Sequence, residues 1–214
     1  MQDIKADSQT TEHRIREHRY LALLDSGRVS HDALKAFPGH QYHMWHSDVR
    51  SAAQFVQRFG DRSYGSFFVN DLQAEIEARS GIIELAGKLG MTEDDLHVYQ
   101  PTAEGFAYAA FFAWLSAFGS PGQIACGLAV NLAAWGHNCL KMSQALREHY
   151  GFSEVDTGFL DGFANLPPLE KSALIIVQDD LDHGVSPHQI AWAARMIQSY
   201  EIMFWDAMAT IAEV

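Results

Sequence analysis

Ser199-Tyr200-Glu201-Ile202-Met203-Phe204-Trp205-Asp206-Ala207-Met208-Ala209 sets the architecture of this chain. Ala194, Ile197, Phe204 and Met208 recur with Glu201 at alternating steps of three and four, the period of one buried helical face. A carboxylate inside that stripe must be paired, protonated or in use, because burying an unpaired charge costs several kcal/mol. Glu201 is therefore read either as a buried acid with a raised pKa, able to shuttle protons, or as a structural carboxylate held by an arginine or a helix end.

Outward from this helix, the punctuation is that of an all-α protein. Ser30 before His31, and Thr92 with Asp95, mark helix starts. Ser120-Pro121 and Ser186-Pro187 each place a capping serine before a proline at the first helical position. Gly90, Gly119, Gly151 and Gly184 fall where helices should stop. These signals predict helices near 10–25, 30–59, 65–89, 103–118, 120–149, 155–164, 168–183 and 187–212. Pro38-Gly39 is expected to kink or break the second. Ile124 to Trp135 is apolar on almost every side apart from Asn131, which makes that helix central. The expected architecture is a compact bundle of about seven to eight helices.

Composition narrows the function. A chain of 214 residues with 48% hydrophobic content suits one domain, 1–214, with residues 1–8 expected to fray. No apolar run approaches the roughly 20 residues needed to cross a bilayer, and the polar start is not a secretory signal. The formal charge of −12 argues against nucleic acid or an anionic membrane as partner. Two cysteines, Cys126 and Cys139, make no disulfide framework, so a reducing cytoplasm is expected. Both lie in apolar surroundings without a cationic neighbour, unlike low-pKa thiolates. Asp179-Asp180-Leu181-Asp182 lacks the spacing of a calcium loop and reads as a solvated acidic helix end.

Eleven histidines keep a metal site in view. His40, His43 and His46 are three apart, so neighbouring imidazoles share a helix face, yet no fixed acidic partner accompanies them. A polar helix lining a pocket is the favoured reading of that segment. His137, alone on the central helix, reads as hydrogen-bonded core.

The Tyr200–Ala209 run resembles the C-terminal signature of the TenA/thiaminase II family, whose glutamate there is a catalytic acid/base. His18-Arg19-Tyr20-Leu21 leading to Asp25-Ser26-Gly27, Gln100-Pro101-Thr102 through Tyr108, and Ala125 to Trp135 are similar to further family segments, so the resemblance spans about His18 to Ala209. It implies the heme-oxygenase-like all-α fold, a small-molecule pocket holding an aminopyrimidine, no metal or other cofactor, and a homodimer or homotetramer. Carried over residue by residue, Glu201 falls on the catalytic glutamate and Tyr108 on a pocket tyrosine. The family's nucleophilic cysteine lands on Ala133, its substrate-binding aspartate on Gln41 and the adjoining tyrosine on Met44. Two further tyrosines become His137 and Phe163. Alanine forms no covalent intermediate, and Cys126 lies two turns, about 10 Å, before it.

The leading expectation is thus a divergent, cysteine-lacking TenA-like enzyme acting on an aminopyrimidine or related heterocyclic amine. The reaction would be C–N hydrolysis of the thiamin-salvage type, as in an aminopyrimidine aminohydrolase. One alternative is an oxidase of the same fold, either like the cofactorless enzyme of pyrroloquinoline quinone synthesis or a di-iron type, with His40, His43, His137 and Glu201 as the candidate iron ligands. The other is a ligand-binding or regulatory homologue without catalysis.

Overall fold

Two long apolar helices organise the molecule, as their composition requires. A computed structural model describes residues 10–213; the segment 1–8, expected to fray, lies outside them. In chain order the helices are α1 (residues 10–16), α2 (Arg19–Asp25), α3 (His31–Leu34), α4 (Ala36–Phe59), α5 (Gly65–Lys88), α6 (Glu93–Val98), α7 (Ala103–Phe118), α8 (Pro121–His149), α9 (Gly158–Ala164), α10 (Glu170–Asp182) and α11 (Pro187–Ala212). Among the described residues there is no strand. No helix there is long and apolar enough to cross a membrane.

The central helix α8 packs against α2, α9, α10 and α11, while α4 lies between α5 and α7, and α11 closes the bundle against α7. Two large apolar clusters result. One gathers Tyr20, Phe37, Trp135, Phe204 and Trp205, the other Phe55, Phe68, Phe112, Leu115 and Ile197. Tyr108 and Leu132 border both clusters. The seam they mark is where the polar interior residues collect.

Several caps behave as their sequences dictate. Ser120 and Ser186 each complete a capping box, with Gln123 and Gln189 reaching back, and Thr92 does so with Asp95. Gly90 and Gly184 end helices at φ of 76° and 86°, a region glycine enters without penalty.

Three expectations need correction. The helix expected over 10–25 is broken at His18, whose Nδ1 accepts from the Tyr20 amide and starts α2 afresh. The break expected at Pro38 falls at Lys35, so Pro38 sits in the first turn of α4, where its missing N–H leaves no bond unmade. The Asp179–Asp182 segment is not wholly a solvated terminus. Asp180 is buried and accepts from the Gly122 amide at 2.7 Å and from the Ser120 hydroxyl.

Asp180 thus places a carboxylate at the N-terminus of α8, where the helix dipole favours negative charge. A Cβ on Gly122 would lie 2.5 Å from Asp180 Oδ2, so only glycine admits this approach. Asp180→Ala is expected to lower stability by about 1–3 kcal/mol, since a charge-assisted cap is lost and two donors are orphaned. Urea unfolding of the variant checks this; an unchanged midpoint would show that the cap contributes nothing.

Candidate functional site

Every helix facing the seam contributes side chains at helical spacing. Gln41, Met44, Trp45 and Asp48 come from α4, and Glu75, Ala78 and Ile82 from α5. Asn131, Leu132 and Trp135 come from α8, Phe159 and Phe163 from α9, Glu201 and Phe204 from α11, and Tyr108 from α7. Steps of three, four and seven place each set on one face. They enclose a cavity of about 60 Å³, which holds water but is smaller than the several hundred Å³ of an open ligand pocket. A ring-sized ligand therefore enters by displacing side chains. Phe159 and Phe163, on the short α9, also line the outer groove between α5 and α9, so they stand between that groove and the cavity.

Glu201 is 2% exposed. Its Oε2 accepts from Asn131 Nδ2 at 2.7 Å and its Oε1 from the Trp205 indole N–H at 3.2 Å. Tyr108 donates its hydroxyl to Asn131 Oδ1 at 3.0 Å, so tyrosine, amide and acid form one chain. No arginine or lysine lines the cavity. Burial pushes the Glu201 carboxyl up to about 8, against the opposing pull of the Trp205 and Asn131 hydrogen bonds. A carboxylic acid that keeps its proton at neutral pH results.

Three further carboxylates lie along the α4–α5 side. Asp48 is 8% exposed and its Oδ1 has no hydrogen-bond partner. Burial, with the nearby Asp71 charge, holds Asp48 well above the carboxylate range. Glu75 is raised in the same way by burial and then by Asp48 and Asp71. Its backbone carbonyl accepts the Trp45 indole N–H at 2.7 Å, which joins α5 to α4 at this level. Burial brings Asp71 to about 7. Tyr108, near Asp48, Glu75, Asp71 and Glu201, is held far above its usual range chiefly by burial and then by their charges.

Of the residues singled out from sequence, the structure brings Glu201, Tyr108, Gln41, Met44 and Phe163 to one cavity. Ala133 and His137 are elsewhere, on a groove shared with Glu12, Arg16 and Glu170. The reason is angular. Asn131 and Trp135, four apart, face the cavity, whereas Ala133 and His137, each two residues on, are turned about 200° around α8. On α8 it is Asn131 that faces Glu201, and it donates to that carboxyl. Neither cysteine lines the cavity, and burial raises both thiols, Cys126 to about 11.

The histidines of the iron alternative do not meet. His40 is fully buried, with Nδ1 on the Ala36 carbonyl at 2.8 Å and Nε2 accepting from the Thr102 amide at 3.0 Å. His43 donates to the Leu96 carbonyl, and His137 lies in the other groove. Among the described residues no three His, Cys, Asp or Glu side chains are grouped to hold a metal ion. His40, His43, His137 and Glu201 therefore do not fit an iron centre. Asp48, Glu75 and Trp45 were not singled out from sequence; the signal was Asp48 standing seven residues, two turns, after Gln41.

An all-α bundle closed around a polar, aromatic-walled chamber defines a class of small-molecule proteins, and the comparisons name the family. Residues 6–210 match the TENA/THI-4/PQQC family, and the chain belongs to it. Among solved structures it is similar to a TenA homolog from Pseudomonas syringae pv. tomato, with a TM-score of 0.82 and 15% identity over 98% of this chain and 92% of that one. A TenA homologue from P. horikoshii superposes with a TM-score of 0.77 and 16% identity, covering 98% of each chain. A TenA family transcription regulator from Silicibacter gives 0.73 and 13% identity, covering 99% and 95%. Heme oxygenase-1 from Synechocystis shares the fold with a TM-score of 0.63 at 10% identity, over 99% and 91%. No curated protein sequence matches significantly.

Proposed function

We propose that this chain is a single-domain, cysteine-independent TenA-type enzyme that hydrolyses a C–N bond of an aminopyrimidine or related heterocyclic amine, with Glu201 as the general acid/base. The observation that carries the reading is the buried Glu201 carboxyl at the wall of an aromatic chamber, held by Asn131 and Trp205. Its raised pKa suits proton transfer near neutral pH.

In the step proposed, water adds its oxygen to the carbon bearing the amine and the C–N bond breaks. The leaving nitrogen takes the proton of Glu201, and the attacking water returns one to the carboxylate. The acid is regenerated and no covalent adduct to the protein is needed. Trp45, Tyr108, Phe163 and Phe204 supply faces against which a flat ring packs. Gln41 and Met44, which touch each other at 3.7 Å, border the ring site. Closure by α9 excludes bulk water during the reaction. A cytoplasmic homodimer or homotetramer is the setting we propose for this activity.

The test is turnover of aminomethyl-pyrimidines by the purified wild-type protein and by Glu201→Gln, followed by released ammonia. Turnover lost in the variant supports the reading. Tight binding without turnover in the wild type would overturn it in favour of a ligand-binding module.

A further inference from the structure

We propose that the Asp48–Glu75 wall is a second ligand subsite, which takes a protonated amine or amidinium group of a ligand whose reacting amine lies at Glu201. The inference rests on the function proposed above, and it adds the charge and the second anchor of the ligand.

The first ground is geometric. Asp48 is more than nine-tenths buried, lines the cavity, and leaves Oδ1 without a partner. A buried carboxyl oxygen with nothing to accept from is costly, and such an atom in a native fold calls for a missing partner. Glu75 reaches the same cavity from the next helix, its backbone fixed by the Trp45 indole. Asp48 and Trp45 are three residues apart on α4 and so share a face, which sets an aromatic ring beside the two acids.

The second ground is charge. Asp48, Glu75 and Glu201 line the cavity and no lysine, arginine or histidine does. An anionic ligand would find three acids and no cationic side chain to balance its charge, and a ligand without N–H donors would leave Asp48 unanswered. A cation with N–H donors answers it, ionises the acid through a charge-assisted bond, and gains from the indole face. A bare divalent metal fits less well, since no three of these side chains are arranged as ligands.

Calorimetric titration with benzylamine and with 3- and 4-(aminomethyl)benzylamine tests this on the whole chain. At least one diamine should bind the wild type about tenfold or more tighter than benzylamine, the worth of one charge-assisted bond. Asp48→Asn, or Asp48→Asn with Glu75→Gln, should reduce that advantage to less than about threefold. Asparagine and glutamine match the acids in size and bury no charge, so the variants should fold, and melting curves check it. Benzylamine binding with no diamine advantage would overturn the subsite and leave the Glu201 reading intact. A diamine advantage that disappears in Asp48→Asn, in a protein that turns over no aminopyrimidine, would keep the subsite and remove the catalytic reading. Failure of every amine to bind would overturn both.

Discussion

Glu201→Gln lowers turnover by about 10²–10⁴-fold, the usual contribution of a positioned acid/base. Glutamine has nearly the same shape, and its one amide oxygen accepts from Asn131 or from the Trp205 indole but not from both, so one of the two bonds is lost while the cavity wall is kept. What it lacks is an acidic proton to give to the leaving nitrogen. The loss should fall on kcat rather than KM, because a group that acts only in the transition state leaves ground-state binding in place. The wild-type profile of kcat/KM should lose its acid form near pH 8, where the free Glu201 ionises. A variant with a tenth or more of wild-type turnover would remove Glu201 from the chemistry.

The second large effect is on stability. Glu201 keeps its proton in the folded protein up to about pH 8, whereas the unfolded chain releases it near the ordinary glutamate value of 4.5. Between those values the folded state binds more protons, so stability falls as pH rises. Asp48 and Glu75, also raised, act with the same sign. The buried histidines His18 and His40, lowered chiefly by burial, act oppositely, gaining stability as pH rises through the unfolded value of 6.5. Above pH 7 the histidines no longer contribute and the carboxyls give the largest part of the slope, with the buried thiols Cys126 and Cys139 adding to it in the same sense. Each group still protonated in the fold and ionised in the unfolded chain then costs about 1.4 kcal/mol per pH unit. Urea unfolding at pH 7 and 8.5 should show a loss of about 1–3 kcal/mol, a large share of a typical domain's stability. Glu201→Gln should flatten that slope. Equal stability at the two values in the wild type would show that these acids are ionised in the fold.

The long elements were legible because their signals are local. Serine-proline caps fixed the starts of α8 and α11, and the three-and-four stripe through Phe204 and Met208 turned Glu201 inward. The short α6 was missed as a helix although its Thr92–Asp95 box was seen, since six residues carry no periodicity. Asp180 was misread because its partner, the start of α8, lies 58 residues away, and no local pattern reports such a cap.

Within the site, legibility followed helix geometry. Gln41, Met44 and Tyr108 reached the cavity because the resemblance anchored them to the right faces. On α8 the carry-over from Trp135 named Ala133 and His137, and these two line another groove, because at about 100° per residue a step of two from Asn131 or Trp135 turns a side chain away from the cavity. Asp48 and Glu75 acquire meaning only through the contact of α4 with α5, a tertiary fact. Asn131 stood out as the one polar residue of an apolar helix, and its bonds to Tyr108 and Glu201 explain why it is there.

Protonation of Glu201 inside the closed chamber underlies both the proposed chemistry and the pH dependence of stability. Carbon-13 NMR of the wild-type protein labelled at the glutamate side-chain carboxyl reads it directly, with Glu201→Gln assigning the resonance. The predicted result is a titration midpoint near 8 for that one signal. A midpoint near the ordinary 4.5 would show an ionised, structural carboxylate and would contradict the account.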